Sequence, residues 1–155
     1  MQPFVPDDFS VPLLLKTEQF LLRPLTMDDV EKDYEAVMSS VTHLQQQFPP
    51  QVFGHIWPNA AMTKRQDLAD LGWHESEFNR RSSFTYTVLR TDETACIGCV
   101  YIFPPRFTEA DAEIFLWVRE SAFEQGLDSQ LFSAVKQWIL DTWPFKKVTF
   151  PFRES

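Results

Sequence analysis

A mixed α/β fold, in the α+β sense of a mostly antiparallel central sheet with helices on both faces, is what this 155-residue sequence predicts. Three observations point there. Thr26 with Asp29, and Thr63 with Gln66, are capping-box signatures, and each opens a stretch of apolar residues at helical spacing. Three runs rich in β-branched and aromatic residues then fill residues 83–118, separated by turn-forming residues. A strand–turn–helix–strand unit closes the chain, and joining its two strands through a helix demands a parallel crossover. The order is therefore β-α-α-β-β-β-α-β, which packs as a sheet between two helical layers.

Residues 1–18 hold Pro3, Pro6 and Pro12 and read as an extended arm on a single domain spanning residues 19–155. Residues 19–22 (QFLL) form the first strand, closed by Arg23 and Pro24. The first helix covers residues 27–39 and aligns Val30, Tyr34, Val37 and Met38 on one face. Pro49, Pro50, Gly54 and Pro58 forbid a long helix in residues 40–62, which read as a loop with at most a short turn. A second helix over residues 63–80 turns Leu68, Leu71 and Phe78 inward. SFTYTVLR (83–90) and ACIGCVYIF (95–103), split by TDET, make a hairpin that Pro104 and Pro105 end. Residues 112–118 are the next strand. The closing helix, residues 129–141, lines up Leu131, Phe132, Val135, Trp138 and Ile139; Trp143 and Pro144 stop it before a last strand at residues 147–150.

Hydrophobic residues make up 44% and charged residues 23%, the balance of a globular chain rather than a disordered one. A net charge of −8, with fourteen Lys and Arg scattered among twenty-two Asp and Glu, excludes a broad nucleic-acid footprint. Asp7 and Asp8 stand where a secretory signal needs positive charge, and no run reaches the length of a membrane span. A cytoplasmic protein without nucleic-acid or membrane partners is the expectation. Cys96 and Cys99 form a C-x-x-C, but on a strand residues three apart face opposite ways, so two separate half-buried thiols are expected and no metal.

FLLRPLTMDD (20–29) and the stretch AEIFLWV…FEQGLDSQL (112–131) resemble the GNAT superfamily of acyl-CoA-dependent N-acetyltransferases. The resemblance is nearest to its ribosomal-protein-acetyltransferase branch, whose corresponding segment is similar to A-E-I-G-Y-W-L, a short turn, then W-G-K-G-Y-A and a helix. It covers the chain from about Gln19 onward. It implies that acetyl-CoA is the co-substrate, its pantetheine arm pairing along Leu116, Trp117 and Val118. Its pyrophosphate would rest on the backbone of Gln125, Gly126, Leu127, Asp128 and Ser129, where a helix begins with unpaired N–H groups and the positive end of its dipole.

The turn departs from the family pattern. Glu124 stands where the first glycine is usual, Asp128 where glycine or alanine is usual, and Phe123 where Arg, Gln or Trp is usual. A carboxylate ~6 Å from a phosphate costs roughly 0.7 kcal/mol when solvated and about 3 kcal/mol near a partly buried surface. Asp128 is also a good N-cap, so the expectation is a helix that caps itself with the groups a phosphate would use.

For catalysis, the resemblance puts Glu113 where family members keep a glutamate, and its apolar neighbours are expected to raise its pKa towards that of a general base. The Tyr that the family often supplies as general acid has no counterpart after residues 147–150; Tyr34, Tyr86 and Tyr101 lie elsewhere. His55, Trp57, Trp73 and His74 come from the region where the family receives its acceptor, an amine of a small molecule or peptide. Two functions stay open. One is an N-acetyltransferase working by direct attack; the other is a non-catalytic protein of the same fold that binds a ligand or pairs as a homodimer along the edge at residues 147–152.

Overall fold

The computed structural model describes residues 3–153. Six strands form one sheet in the order β1 (Leu15–Lys16), β2 (Leu21–Pro24), β3 (Phe84–Leu89), β4 (Cys96–Phe103), β5 (Ala112–Val118), β6 (Val148–Thr149). Every neighbouring pair is antiparallel except β5 and β6, the pair joined by the helical crossover. The expected mixed, mostly antiparallel sheet is therefore present.

The helices divide between the faces. On one, α5 (Leu127–Thr142) lays Leu131, Val135, Trp138 and Ile139 against Phe84, Val100, Ile114 and other residues of the sheet. On the other, α1 (Val30–Met38), α2 (Val41–Gln47) and α3 (Lys64–Asn79) contribute Val37, Leu44 and Leu71 to a second cluster with Tyr101, Phe115 and Trp117. β3, β4 and β5 are buried along their whole length, which explains why they read as near-continuous apolar runs rather than as alternating ones. The capping box at Thr63 and Gln66 forms as expected.

Three elements differ from the expectation. The proline-rich arm enters the core through Val5 and adds β1 to the sheet, with Arg81 holding the carbonyls of Pro6 and Phe9. Residues 41–47 form α2 because the helix-breaking prolines begin only at Pro49. The turn after β5 contains a short helix, α4 (Glu120–Glu124).

A bulge corrects the cysteines. Val88 faces Gly98 and Leu89 faces Cys96, so Ile97 is the extra residue in β4. Cys96 and Cys99 consequently share one face, both in the cluster under α1–α3, while Ile97 joins the opposite one. Gly98 is required here: a Cβ would lie 1.9 Å from the Trp117 carbonyl oxygen.

Candidate active site

β5 and β6 pair only at Ala112–Val148 and Glu113–Thr149. Beyond Glu113 the chain after β6 enters a turn at Pro151, and among the described residues the outer edge of residues 114–118 has no neighbouring strand. A wedge of about 320 Å³ opens there, walled by Ile114, Phe115 and Leu116 on one side and by Phe152 and Arg153 on the other. One backbone group on this edge is taken: Arg153 Nη2 donates to the Leu116 carbonyl at 3.2 Å.

α5 begins beside the wedge. Gly126, at φ 81°, turns the chain from α4 into α5 in the left-handed region that glycine allows, and space around it is open. The N-cap of α5 is that glycine, which has no side chain to offer, and among the described residues Asp128 makes no hydrogen bond to the first-turn backbone. That overturns the self-capping expected of Asp128. Its carboxylate turns instead to Arg153, with Nη1–Oδ2 at 2.7 Å and Nη2–Oδ1 at 3.0 Å. The guanidinium fork satisfies both carboxylate oxygens, which leaves them unavailable to the first-turn N–H groups. Glu124, Gln125 and Ser129 are exposed, and Phe123 sits at the rim of the wedge.

The pKa expected for Glu113 is also overturned. Its side chain is fully buried, and burial by itself would raise its pKa. Hydrogen bonds from the N–H groups of Arg106, Phe107 and Thr108 and from Thr108 Oγ1, at 2.7–2.9 Å, outweigh burial and hold it below the usual range. A carboxylate so saturated fixes the turn after β4 and has little basicity to offer. Leu116, Trp117 and Val118 are buried in β5, and the Trp117 indole donates to Tyr101 Oη at 2.9 Å.

The acceptor-side residues do converge. His55, Trp57, Trp73, His74 and Tyr101 surround a cavity of about 100 Å³ between α1, α3 and β4. His74 Nδ1 lies 3.0 Å from Thr85 Oγ1, and burial lowers its pKa to about 4, so it is neutral at physiological pH. Asp33, Asp67 and Asp70 line the same cavity and were not expected from the sequence. A signal existed: Asp33 precedes Val37 by four residues and Asp67 precedes Leu71 by four, so both carboxylates lie on the apolar stripes of their helices. Tyr86 lies in the core with its hydroxyl donating to the Pro12 carbonyl.

The acetyltransferase (GNAT) domain family matches residues 19–155. The chain belongs to the GNAT acetyltransferase family. Its fold is shared with the ribosomal-protein-S5-alanine acetyltransferase of Vibrio fischeri, at TM-score 0.65 and 15% identity over 83% of this chain and 68% of that one. It is shared too with an acetyltransferase of Salmonella typhimurium that modifies the N-terminal serine of ribosomal protein L7/L12 (TM-score 0.59, 16% identity, 84% and 67% coverage). A third similar structure is a microcin C7 self-immunity acetyltransferase in complex with acetyl-CoA and AMP (TM-score 0.65, 12% identity, 84% and 68% coverage). A comparison with curated protein sequences found no match. No helix among the described residues is long and apolar enough to cross a membrane.

Membership in this GNAT family supports acyl-CoA-dependent acetyl transfer in general terms. The residues present fit such a co-substrate at the helix end, where α5 is uncapped and open. At the wedge Arg153 holds the Leu116 carbonyl, a backbone group such a co-substrate would need.

Proposed function

We propose that this chain is an N-acetyltransferase that uses acetyl-CoA and acts on an amine of a small molecule or peptide by direct attack. The observation that carries the reading is the juxtaposition of an uncapped helix start, Gly126–Leu127, with a strand edge that has lost its partner after Glu113. N–H groups of Leu127, Asp128 and Ser129 suit a pyrophosphate, because they open the first turn at the positive end of the helix dipole; those of Gln125 and Gly126 are already taken by the carbonyls of Ala122 and Phe123. The outer edge of Leu116 and Val118 offers backbone groups to an amide-bearing arm, as an added strand would. Bound there, acetyl-CoA supplies the activated acyl thioester.

What the chain itself contributes is placement and exclusion of water. Phe115 and Phe123 wall the wedge, and Phe48, which also lines it, packs with Phe53 and Trp57 above the neighbouring strands. Glu113 holds the turn over residues 104–108 and takes no proton in this account. Glu124, the other departure in the turn, is exposed and free to point to solvent.

The second reading, a non-catalytic protein of this fold, has one observation in its favour: Arg153 occupies the Leu116 carbonyl that an acyl-CoA arm would need. A thiol-release assay decides between the two. Purified protein with acetyl-CoA and a panel of alkylamines and peptide N-termini should release free thiol only when both substrates are present. Thiol release no faster than without protein, across the panel, favours the binding module.

A further inference from the structure

Residues 151–153 lie at the mouth of the wedge, and one side chain ties them across it. Arg153 gives Asp128 two charge-assisted hydrogen bonds and donates to the Leu116 carbonyl at 3.2 Å. Its guanidinium also lies over the Phe132 ring, 5.1 Å from the centroid. The backbone N–H of Arg153 donates to the Phe150 carbonyl at 3.2 Å and closes the turn. The guanidinium therefore bridges the two halves of the proposed acyl-CoA site, the strand edge and the first turn of α5.

Packing adds little to this hold. Phe152 is 57% exposed, and its ring meets Phe107 at the rim with centroids 5.5 Å apart. The Phe152 backbone sits at φ 65°, in the left-handed region that a residue with a Cβ disfavours. The Arg153 and Asp128 side chains are 21% and 14% exposed, so water and solutes reach their ion pair. A segment that is exposed, bent against its preference and tied by one side chain is open to displacement.

An acyl-CoA carries the chemistry to displace it at both ends. Its pyrophosphate offers a guanidinium fork the same kind of oxygen pair that the Asp128 carboxylate does. Its amide arm offers the Leu116 carbonyl an N–H donor, as Arg153 does.

We propose that Arg153 is an autoinhibitory latch on the wedge. Closed on Asp128 and on the Leu116 carbonyl, it denies the strand edge to the co-substrate, and the arm binds only those molecules in which the latch is open. Apparent affinity then falls by the open fraction, and removing the latch restores it. That the displacing ligand is an acyl-CoA rests on the function proposed above.

The test is calorimetric titration of the full chain with acetyl-CoA and with S-acetylpantetheine, which keeps the thioester and amide arm but has no phosphate. Arg153→Ala should bind S-acetylpantetheine about tenfold more tightly than wild type, as for an open fraction of about one in ten. With acetyl-CoA the same variant should gain less, because it bares the Asp128 carboxylate beside the pyrophosphate. The double variant Asp128→Ala/Arg153→Ala removes both obstacles and should gain about tenfold with either ligand. Arg153→Lys keeps a charge for Asp128 without the fork that also reaches Leu116, so it should fall between wild type and Arg153→Ala. Far-UV circular dichroism checks that each variant is folded. If wild type binds acetyl-CoA and the folded double variant binds neither ligand more tightly, the latch is overturned and the wedge reading stands. Weaker binding of both ligands by folded Arg153→Ala also overturns it, making Arg153 a residue that holds the ligand. No acetyl-CoA binding by wild type or any folded variant overturns the wedge reading and the latch with it.

Discussion

Glu113 and Asp67 are both carboxylates with almost no exposed surface, yet their surroundings push them in opposite directions. Four donated hydrogen bonds lower the pKa of Glu113, so its contribution to stability is present above its unfolded value of 4.5 and is lost as pH falls through its folded one. Truncation to Ala would strand three backbone N–H groups. Glu113→Ala should therefore lose about 3 kcal/mol or more in urea unfolding at neutral pH. Folded Glu113→Gln should keep its transfer rate and pH profile, whereas loss of a general base would cost roughly a hundredfold. Asp67 runs the other way. Its pKa is raised from 3.8 to about 6, so the stability it contributes is full below 3.8 and is lost as pH rises through about 6. Asp33 and Asp70 titrate around the same cavity, and Asp29 acts on Asp33. Asp67→Asn should flatten this pH dependence and raise stability by roughly 1–2 kcal/mol at pH 7, because it removes a buried charge without removing volume. Urea melts at several pH values measure both. The opposed behaviour was not legible in the sequence. The residues that decide it, 104–108 around Glu113 and Asp33 beside Asp67, come together only in the fold.

At the scale of elements, β4 and the α4–α5 turn carry most of the meaning. The sequence marks β4 clearly but says nothing of its bulge, since Ala95–Cys96–Ile97 reads as ordinary strand. That one extra residue puts both cysteines on one face and brings Gly98 against the backbone of Trp117. Gly98→Ala should cost more than about 4 kcal/mol and leave most of the protein insoluble, because the clash is with backbone that cannot rotate away. α2 was hidden for another reason: Leu44 is its only buried residue, which is too few for a periodic signal. The turn was read correctly as a helix start and wrongly as self-capped. The partner of Asp128 is Arg153, twenty-five residues on, and no local pattern announces it. Asp128→Ala should leave that guanidinium unpaired beside the open helix start and tighten acetyl-CoA binding by about tenfold. A calorimetric comparison with wild type reads the change directly.

For the whole molecule, the class of fold was legible because its evidence is distributed. Two capping boxes, three apolar strands and one crossover each constrain the topology, and all of them appear in the sheet with α5 on one face and α1–α3 on the other. The candidate site was legible as a place and not as chemistry. Its framework, β5 followed by a glycine turn into a helix, follows from the sequence; its electrostatics depend on partners from distant segments. The same architecture gives the molecule two recesses: the wedge beside β5 and the acidic cavity beneath α1 and α3. The central claim is that the wedge and the uncapped α5 start hold an acyl-CoA. Calorimetric titration of the wild-type chain with acetyl-CoA tests it most directly. The account predicts saturable binding of one acetyl-CoA per chain; absence of binding by both wild type and Asp128→Ala would contradict it.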